Sequence, residues 1–322
     1  TVQSAAVHPG GQLLLAGYGN GMIALWDTRP IPGVRDIIAQ KSQRIVNVCF
    51  SPDSRYMAVT NLYDFASDII DVETGRTVSH LDFRHFGRLS AIAFSPDGKH
   101  LITGGRVPAK IVLWDWRTKR KVREYPGHSQ QVSSLAFSPD GKRLLSSGSA
   151  DRIAIVRDVQ TGTILHRLGD HPYAVLTTAF SPDAAYIATG SEGGKVKIWD
   201  GLSGRELHSI QAHPRLVRHV LFNKDNSRLL TCGFDDDIKE WDLETGEQTR
   251  LFRGHTSHPS GLAWSPDGRQ LFSVGGRNLR VWDYATGQQA ALFPAFSNCT
   301  SFAISPDGQR MAMGSYECKV RI

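Results

Sequence analysis

Imidazole, hydroxyl and carboxylate groups are the ingredients of nucleophilic catalysis. This chain supplies them together more than once, as His128, Ser147 and Asp151 and again as His213, Thr231 and Asp235. In a hydrolase the base sits within reach of the nucleophile and a third group orients the base. One active site needs one such set. Here the set returns along the chain at similar spacing, as a structural staple does and a single catalytic centre does not. The densest acidic run, Asp235-Asp236-Asp237, suggests a cation, but calcium takes about six to eight oxygens from a loop of a kind absent here. Neither a Gly-x-x-x-x-Gly-Lys phosphate loop nor a His-Glu-x-x-His zinc motif is present. Cys49, Cys232, Cys299 and Cys318 have no Cys-x-x-Cys spacing and read as small buried hydrophobes, with Cys299 and Cys318 close enough in sequence to pair if their strands adjoin. No metal and no cofactor is expected.

The elements that carry these groups are repeated. A strand ending in Ser-Pro-Asp-Gly, or a near copy, recurs with a period just over forty residues: Phe50, Phe94, Phe137, Phe180, Trp264 and Ile304 each precede it. Weaker copies follow Val7 and Phe222. A second phrase keeps step, as Trp26-Asp27, Ile70-Asp71, Trp114-Asp115, Arg157-Asp158, Trp199-Asp200, Trp241-Asp242 and Trp282-Asp283. Such self-similarity marks a repeat architecture. Within one repeat, Val132–Phe137, Lys142–Ser147, Ile153–Arg157 and Thr163–Leu168 read as four short strands. Gly and Pro punctuation returns too soon for helices. Val196 and Ile198 alternate with Lys195, Lys197 and Trp199, as in a half-buried strand. A lone four-stranded sheet with two apolar faces cannot stand in water, whereas radial stacking buries both. The expected fold is all-β, a propeller of four-stranded antiparallel blades.

With 322 residues, 40% hydrophobic and 21% charged, the composition suits a globular repeat protein, and no stretch is long and apolar enough for a membrane span. The net charge of +6 is spread along the chain, except for Arg117-Thr-Lys-Arg-Lys-Val-Arg123. That run lacks interleaved aromatics and reads as a solvated edge strand rather than a nucleic-acid site. The sequence starts at Thr1 without Met and stops mid-repeat at Ile322, which reads as an excerpt of a longer protein.

These phrases, together with Gly127-His128 and Gly254-His255, resemble the WD-repeat β-propeller family over essentially the whole chain, 1–322, as one domain with an incomplete last blade. The resemblance implies a buried chain of hydrogen bonds linking a turn Asp, a His, a Ser or Thr and the strand-three Trp. Carried over, these are His213, Thr231, Asp235 and Trp241 in the sixth unit, and His128, Ser147 and Asp151 in the fourth, where Arg157 replaces Trp. The fifth keeps His171, Thr189 and Trp199 but has Gly193 where Asp belongs. Units begin near Thr1, Arg44, Arg88, Gln131, Ala174, Leu216, Pro259 and Asn298, which favours eight blades. Seven blades, with Val34–Gln40 returning as the last outer strand, is the alternative.

The family's commonest partner surface is the rim formed by loops joining strand four to one and two to three. On this chain it maps to Arg44, Val46 and Tyr63, then Arg88, Gln131 and Leu176, then Arg218, Phe234, His258 and Tyr316. Arg and aromatic side chains are enriched in binding hot spots, and the near absence of acids suits an acidic or phosphorylated peptide. The resemblance implies a non-catalytic, cytoplasmic scaffold, a monomeric ring that binds proteins or peptides. A different class is a sensor or substrate-recruiting propeller joined to a kinase or similar module outside this chain.

Overall fold

A computed structural model describes backbone strands from Val2 to Met313, and side chains over residues 49–292 except 57, 59–65, 72, 83–88, 107–108, 127, 260, 266 and 277. Short loops between some strands, the last nine residues and the side chains outside that span are not described. All described elements are strands and turns.

The repeated phrases make the turns. In the fourth unit Ser138 N–H donates to the Arg143 carbonyl at 2.9 Å, and Gly141 N–H to the Ser138 carbonyl at 2.8 Å. The Ser138 hydroxyl donates to Asp140 Oδ1 at 2.5 Å, and that carboxylate also accepts from Lys142 N–H at 3.0 Å. Gly141 takes φ of 71°, which explains the glycine. Where the phrase lacks it, Ser54 and Ala184 adopt the same left-handed backbone. The Trp-Asp phrase closes the next hairpin: Asp242 Oδ1 accepts from Glu244 and Thr245 N–H, each at 2.9 Å.

Among the described residues, seven four-stranded antiparallel sheets and one two-stranded sheet follow in chain order. Blade one runs from Val2 to Ile37, blade two from Ile45 to Asp82 and blade three from Leu89 to Tyr125. Blade four is Val132–Leu168, blade five Val175–Gln211, blade six Val217–Phe252 and blade seven Pro259–Pro294. Phe302–Ile304 pairs with Met311–Met313. The first strand of each sheet lies against that of the next, and Phe302–Ile304 lies against both Pro259–Trp264 and Val2–Val7. Arg35–Ile37 pairs with Ile23–Asp27 and so forms the outer strand of the first sheet, not of the last.

Sheets pack face to face. Strand-three tryptophans are driven into the preceding blade: Trp114 packs with Ala58 and Ile69 of blade two. Trp199 packs with Leu145 and Val156 of blade four, and Trp241 with Ala188 and Ile198 of blade five. Burial of each such side chain stabilises the stack by roughly 2 kcal/mol or more. Because both faces are covered, strand three is not half-buried as alternation suggested. Lys197 is 4% exposed and Trp199 5%. Lys197 resolves its own burial by lying along the Trp199 ring and donating to Glu206 at 2.7 Å and the Gly169 carbonyl at 3.3 Å.

Candidate partner-binding rim and its buried staples

The recurrent hydroxyl, imidazole and carboxylate groups meet inside the blades. In blade six Trp241 Nε1–H donates to Thr231 Oγ1 at 3.0 Å, and Thr231 Oγ1 lies 2.9 Å from His213 Nε2. His213 Nδ1 is 2.6 Å from Asp235 Oδ1. With the indole donating to the hydroxyl, the hydroxyl donates to Nε2 and Nδ1–H donates to the carboxylate, so each group is used once. Lys239 Nζ adds a bond to Asp235 Oδ2 at 3.1 Å. Burial alone would raise the Asp235 pKa, but the hydrogen bonds from His213 and Lys239 and the Lys239 charge hold its carboxyl below the usual range.

Blade four differs from expectation at one residue. His128 Nδ1 contacts Asp151 Oδ2 at 2.8 Å, but Nε2 meets Ser146 Oγ at 3.0 Å, not Ser147. Ser147 is buried with its hydroxyl unpartnered. Adjacent strand residues point to opposite faces, so the neighbouring serine cannot substitute. Ser146 stands opposite Ile155 and Ser147 opposite Ala154. Arg157, 1% exposed, stands in for the indole: Nη1 donates to Ser146 at 2.9 Å and Nη2 to the Pro126 carbonyl at 2.7 Å.

Blades five and seven carry the staple without its acid. His171 Nε2 meets Thr189 at 2.8 Å and Trp199 donates to the same hydroxyl at 2.9 Å. His255 meets Ser273 at 2.7 Å, and Trp282 donates to it at 2.8 Å. In both histidines the buried Nδ1 has no partner. Burial, with Lys197 and Lys195 nearby, pushes the His171 pKa down to about 4. Burial and Arg280 push that of His255 down to about 3. The hydroxyls of all four staples belong to residues with 0% exposure, so none can meet a substrate. These groups tie strands together.

The rim presents different chemistry. A cleft of about 680 Å³ lies between blades five and six, lined by Tyr173, Glu192, Gly193, Pro214, Arg215, Leu216 and Phe234. Its floor is fixed by backbone. Ala212 and His213 N–H both donate to the Gly194 carbonyl at 3.0 Å, and Gln211 Nε2 bridges the Gly193 and His213 carbonyls at 2.8 Å each. Gly194 has φ of 78°, and a Cβ there would overlap the His213 and Arg215 carbonyl oxygens, so only glycine fits.

Phe234 is the centre of this surface. Its ring stacks on His258 with centroids 3.9 Å apart and an interplanar angle of 29°. The guanidinium carbons of Arg215 and Arg218 lie 5.5 and 5.7 Å from its centroid. His258 Nδ1 in turn faces Asp236 at 3.4 Å. Both arginines are exposed. Among the described residues neither has an ion pair or hydrogen bond through its guanidinium.

Of the expected rim residues, Arg218, Phe234 and His258 come together here. Gln131 and Leu176 are half-buried and do not line the cleft. Arg44, Tyr63, Arg88 and Tyr316 lie outside the described residues, as do Cys299 and Cys318, and Val46 is described only as part of a strand. Tyr173, Pro214 and Arg215 were missed because they occupy connecting segments rather than repeat positions; the signal was the crowding of Pro, Arg and Leu behind His213.

The basic run holds the exposed outer strand Arg120–Tyr125. Arg117 does sit over an aromatic ring, that of Trp116 at 4.1 Å, but Trp116 is 3% exposed and offers no stacking face. Lys121 is occupied by Glu124 at 3.1 Å. Among the described residues no cluster of His, Cys, Asp and Glu is arranged to hold a metal, and no helix is long and apolar enough to cross a membrane.

A family model for the WD domain, G-beta repeat, matches residues 1–27, 76–115, 119–158, 162–200, 204–242 and 246–283. An uncharacterised WD repeat-containing protein from Synechocystis is 38% identical over 65 residues, covering 19% of this chain and 19% of that protein. WD repeat-containing protein 1 from Bos taurus is 25% identical over 124 residues, 37% of this chain and 20% of the relative. Protein hir1 from Emericella nidulans is 25% identical over 157 residues, 41% of this chain and 15% of the relative. The chain thus matches only a fifth or less of each of these relatives' length. It belongs to the WD-repeat family and folds as its β-propeller.

Proposed function

We propose that this chain is a protein-interaction platform whose rim cleft, between blades five and six, holds an acidic segment of a partner protein. WD repeats generally mediate protein–protein contacts, and the staples, whose hydroxyls are fully buried, leave the rim as the chemically distinctive surface. The observation that carries the reading is the pair of guanidiniums, Arg215 and Arg218, set against one aromatic ring with no acid of their own. An arginine packed on a ring has lost much of its freedom already, so less is lost when a carboxylate docks. A hydrogen bond to a charged group is worth about 1.5–3 kcal/mol, so two such contacts carry a large share of a micromolar affinity.

The test is affinity capture from source-cell lysate with the chain, with Arg215→Glu/Arg218→Glu, and with Arg117→Glu/Arg120→Glu on the outer edge. The expected result is a salt-sensitive set of proteins lost with the first double variant and retained with the second. Retention of the same set on both variants refutes the rim assignment.

A further inference from the structure

The rim cleft has one wall that the repeat does not call for. Blade five keeps three members of the staple, His171, Thr189 and Trp199, with distances matching blade six. It lacks only the acid, whose place is taken by Gly193. The consequence inside the blade is a buried Nδ1–H on His171 that nothing accepts.

Outside the blade, the ring of Tyr173 fills the vacated space. A Cβ on Gly193 would overlap Tyr173 Cδ2 and crowd Cε2 at 2.6 Å and Cγ at 3.2 Å, so any side chain at 193 displaces the tyrosine. Gly193 is not in the left-handed region, so backbone conformation does not explain the glycine; room for the ring does. Tyr173 is nevertheless 55% exposed and lines the cleft together with Pro214 and Leu216.

Resting on the reading of the cleft as a partner site, we propose that Tyr173 on Gly193 is its specificity-determining wall. It accepts an aromatic side chain that neighbours the acidic residue held by Arg215 and Arg218. Aromatic pairs gain roughly 0.5–1.5 kcal/mol beyond the area they bury, and a flat ring between a tyrosine and a proline is the occupant this wall fits. The cleft, about 680 Å³, has room for a ring and a carboxylate together. The occupant is a segment of a partner protein with an aromatic residue next to Asp or Glu.

The experiment is selection of a random heptapeptide display library on the 322-residue chain and on Tyr173→Ala, Gly193→Asp and Arg215→Glu/Arg218→Glu. A selected peptide is then synthesised with a fluorescein label and titrated by polarisation. The chain should enrich peptides that place Phe, Tyr or Trp beside an acid. Tyr173→Ala and Gly193→Asp should each bind the labelled peptide about three- to tenfold more weakly. Replacing the peptide's aromatic residue by Ala should cost the same against the chain and nothing more against Tyr173→Ala. Gly193→Asp should also raise the melting temperature as it gives His171 an acceptor, which separates lost binding from lost folding. Acid enrichment without an aromatic preference, or an aromatic preference that survives Tyr173→Ala, overturns the wall and leaves the rim reading standing. Enrichment indifferent to the arginine variant, or no enrichment at all, overturns both.

Discussion

Removing the Asp235 carboxylate should cost far more than removing an equally repeated but exposed turn acid, Asp53. Asp235→Ala deletes the bond to His213 Nδ1 at 2.6 Å and one to Lys239 at 3.1 Å. Lys239 keeps the Ala212 carbonyl at 2.6 Å, so its loss is partial. His213 is 1% exposed and water cannot replace its acceptor. Stranding that donor costs about 1–3 kcal/mol. With unfolding entropy near 2 cal/mol/K per residue, 2 kcal/mol lowers the melting temperature of a chain this long by about 3 °C. Asp53 accepts from Ser51 Oγ at 2.5 Å and from Arg55 N–H at 3.1 Å, in an exposed turn where water takes over, so Asp53→Ala should cost under about 1 kcal/mol. Urea titration followed by tryptophan emission measures both, because Trp241 Nε1–H ends the same chain of bonds. A cycle with His213→Ala isolates the His–Asp coupling, expected at about 1–2 kcal/mol. Equal losses for the two aspartates, or no coupling in the cycle, would refute the staple as a stabilising unit.

The register correction in blade four has its own check. Ser146→Ala should destabilise by about 1–3 kcal/mol by stranding His128 Nε2 and Arg157, while Ser147→Ala, whose hydroxyl has no partner, should be neutral or stabilising, as read from the same urea midpoints. The buried histidines make a pH prediction. With folded pKa values near 4 for His171 and near 3 for His255 against about 6.5 unfolded, the unfolded chain binds more protons in that window. Their contribution is whole above about pH 6.5 and is lost as pH falls toward 4, by up to roughly 1 kcal/mol per pH unit for each histidine. A urea midpoint flat between pH 7 and 4.5 would contradict their burial in the neutral form.

The blade pattern was legible because its causes are local. Pro in the Ser-Pro-Asp turns and a left-handed residue such as Gly141 dictate hairpins, and short alternating runs between them can only be strands. Ser147 was misassigned because two adjacent serines have the same chemistry and opposite faces, and only register separates them. A ruler was present: the staple hydroxyl lies 18 residues after its histidine in blades four to seven, from His128 to Ser146 through His255 to Ser273. Strand three misled through its lysines. Lys197 reads as solvent-facing by type, yet its stem is covered by the stacked sheets and its charge is met by Glu206. The cleft was only half legible. Arg218 and Phe234 follow from the repeat, whereas Arg215 and Tyr173 sit in connections whose path depends on how blades five and six pack.

The placement of intact and depleted staples around the cleft has a physical logic. Phe234 immediately precedes Asp235, and Asp235 is pinned by His213 and Lys239. The complete staple therefore fixes the backbone that carries the central ring of the rim, which in turn supports Arg215, Arg218 and His258. A recognition surface gains from such preorganisation, since side chains already ordered have less entropy to lose on binding. In blade five the same turn carries Gly193, and what projects into the cleft is not a residue of that turn but Tyr173 lying over it. Fixing Phe234 needs the acid, while admitting Tyr173 forbids it. The unpaired Nδ1–H of His171 is thus the local cost of a cleft wall, tolerable because stacked sheets on either side, through contacts such as Trp199 on Leu145 and Val156, hold blade five in place without it.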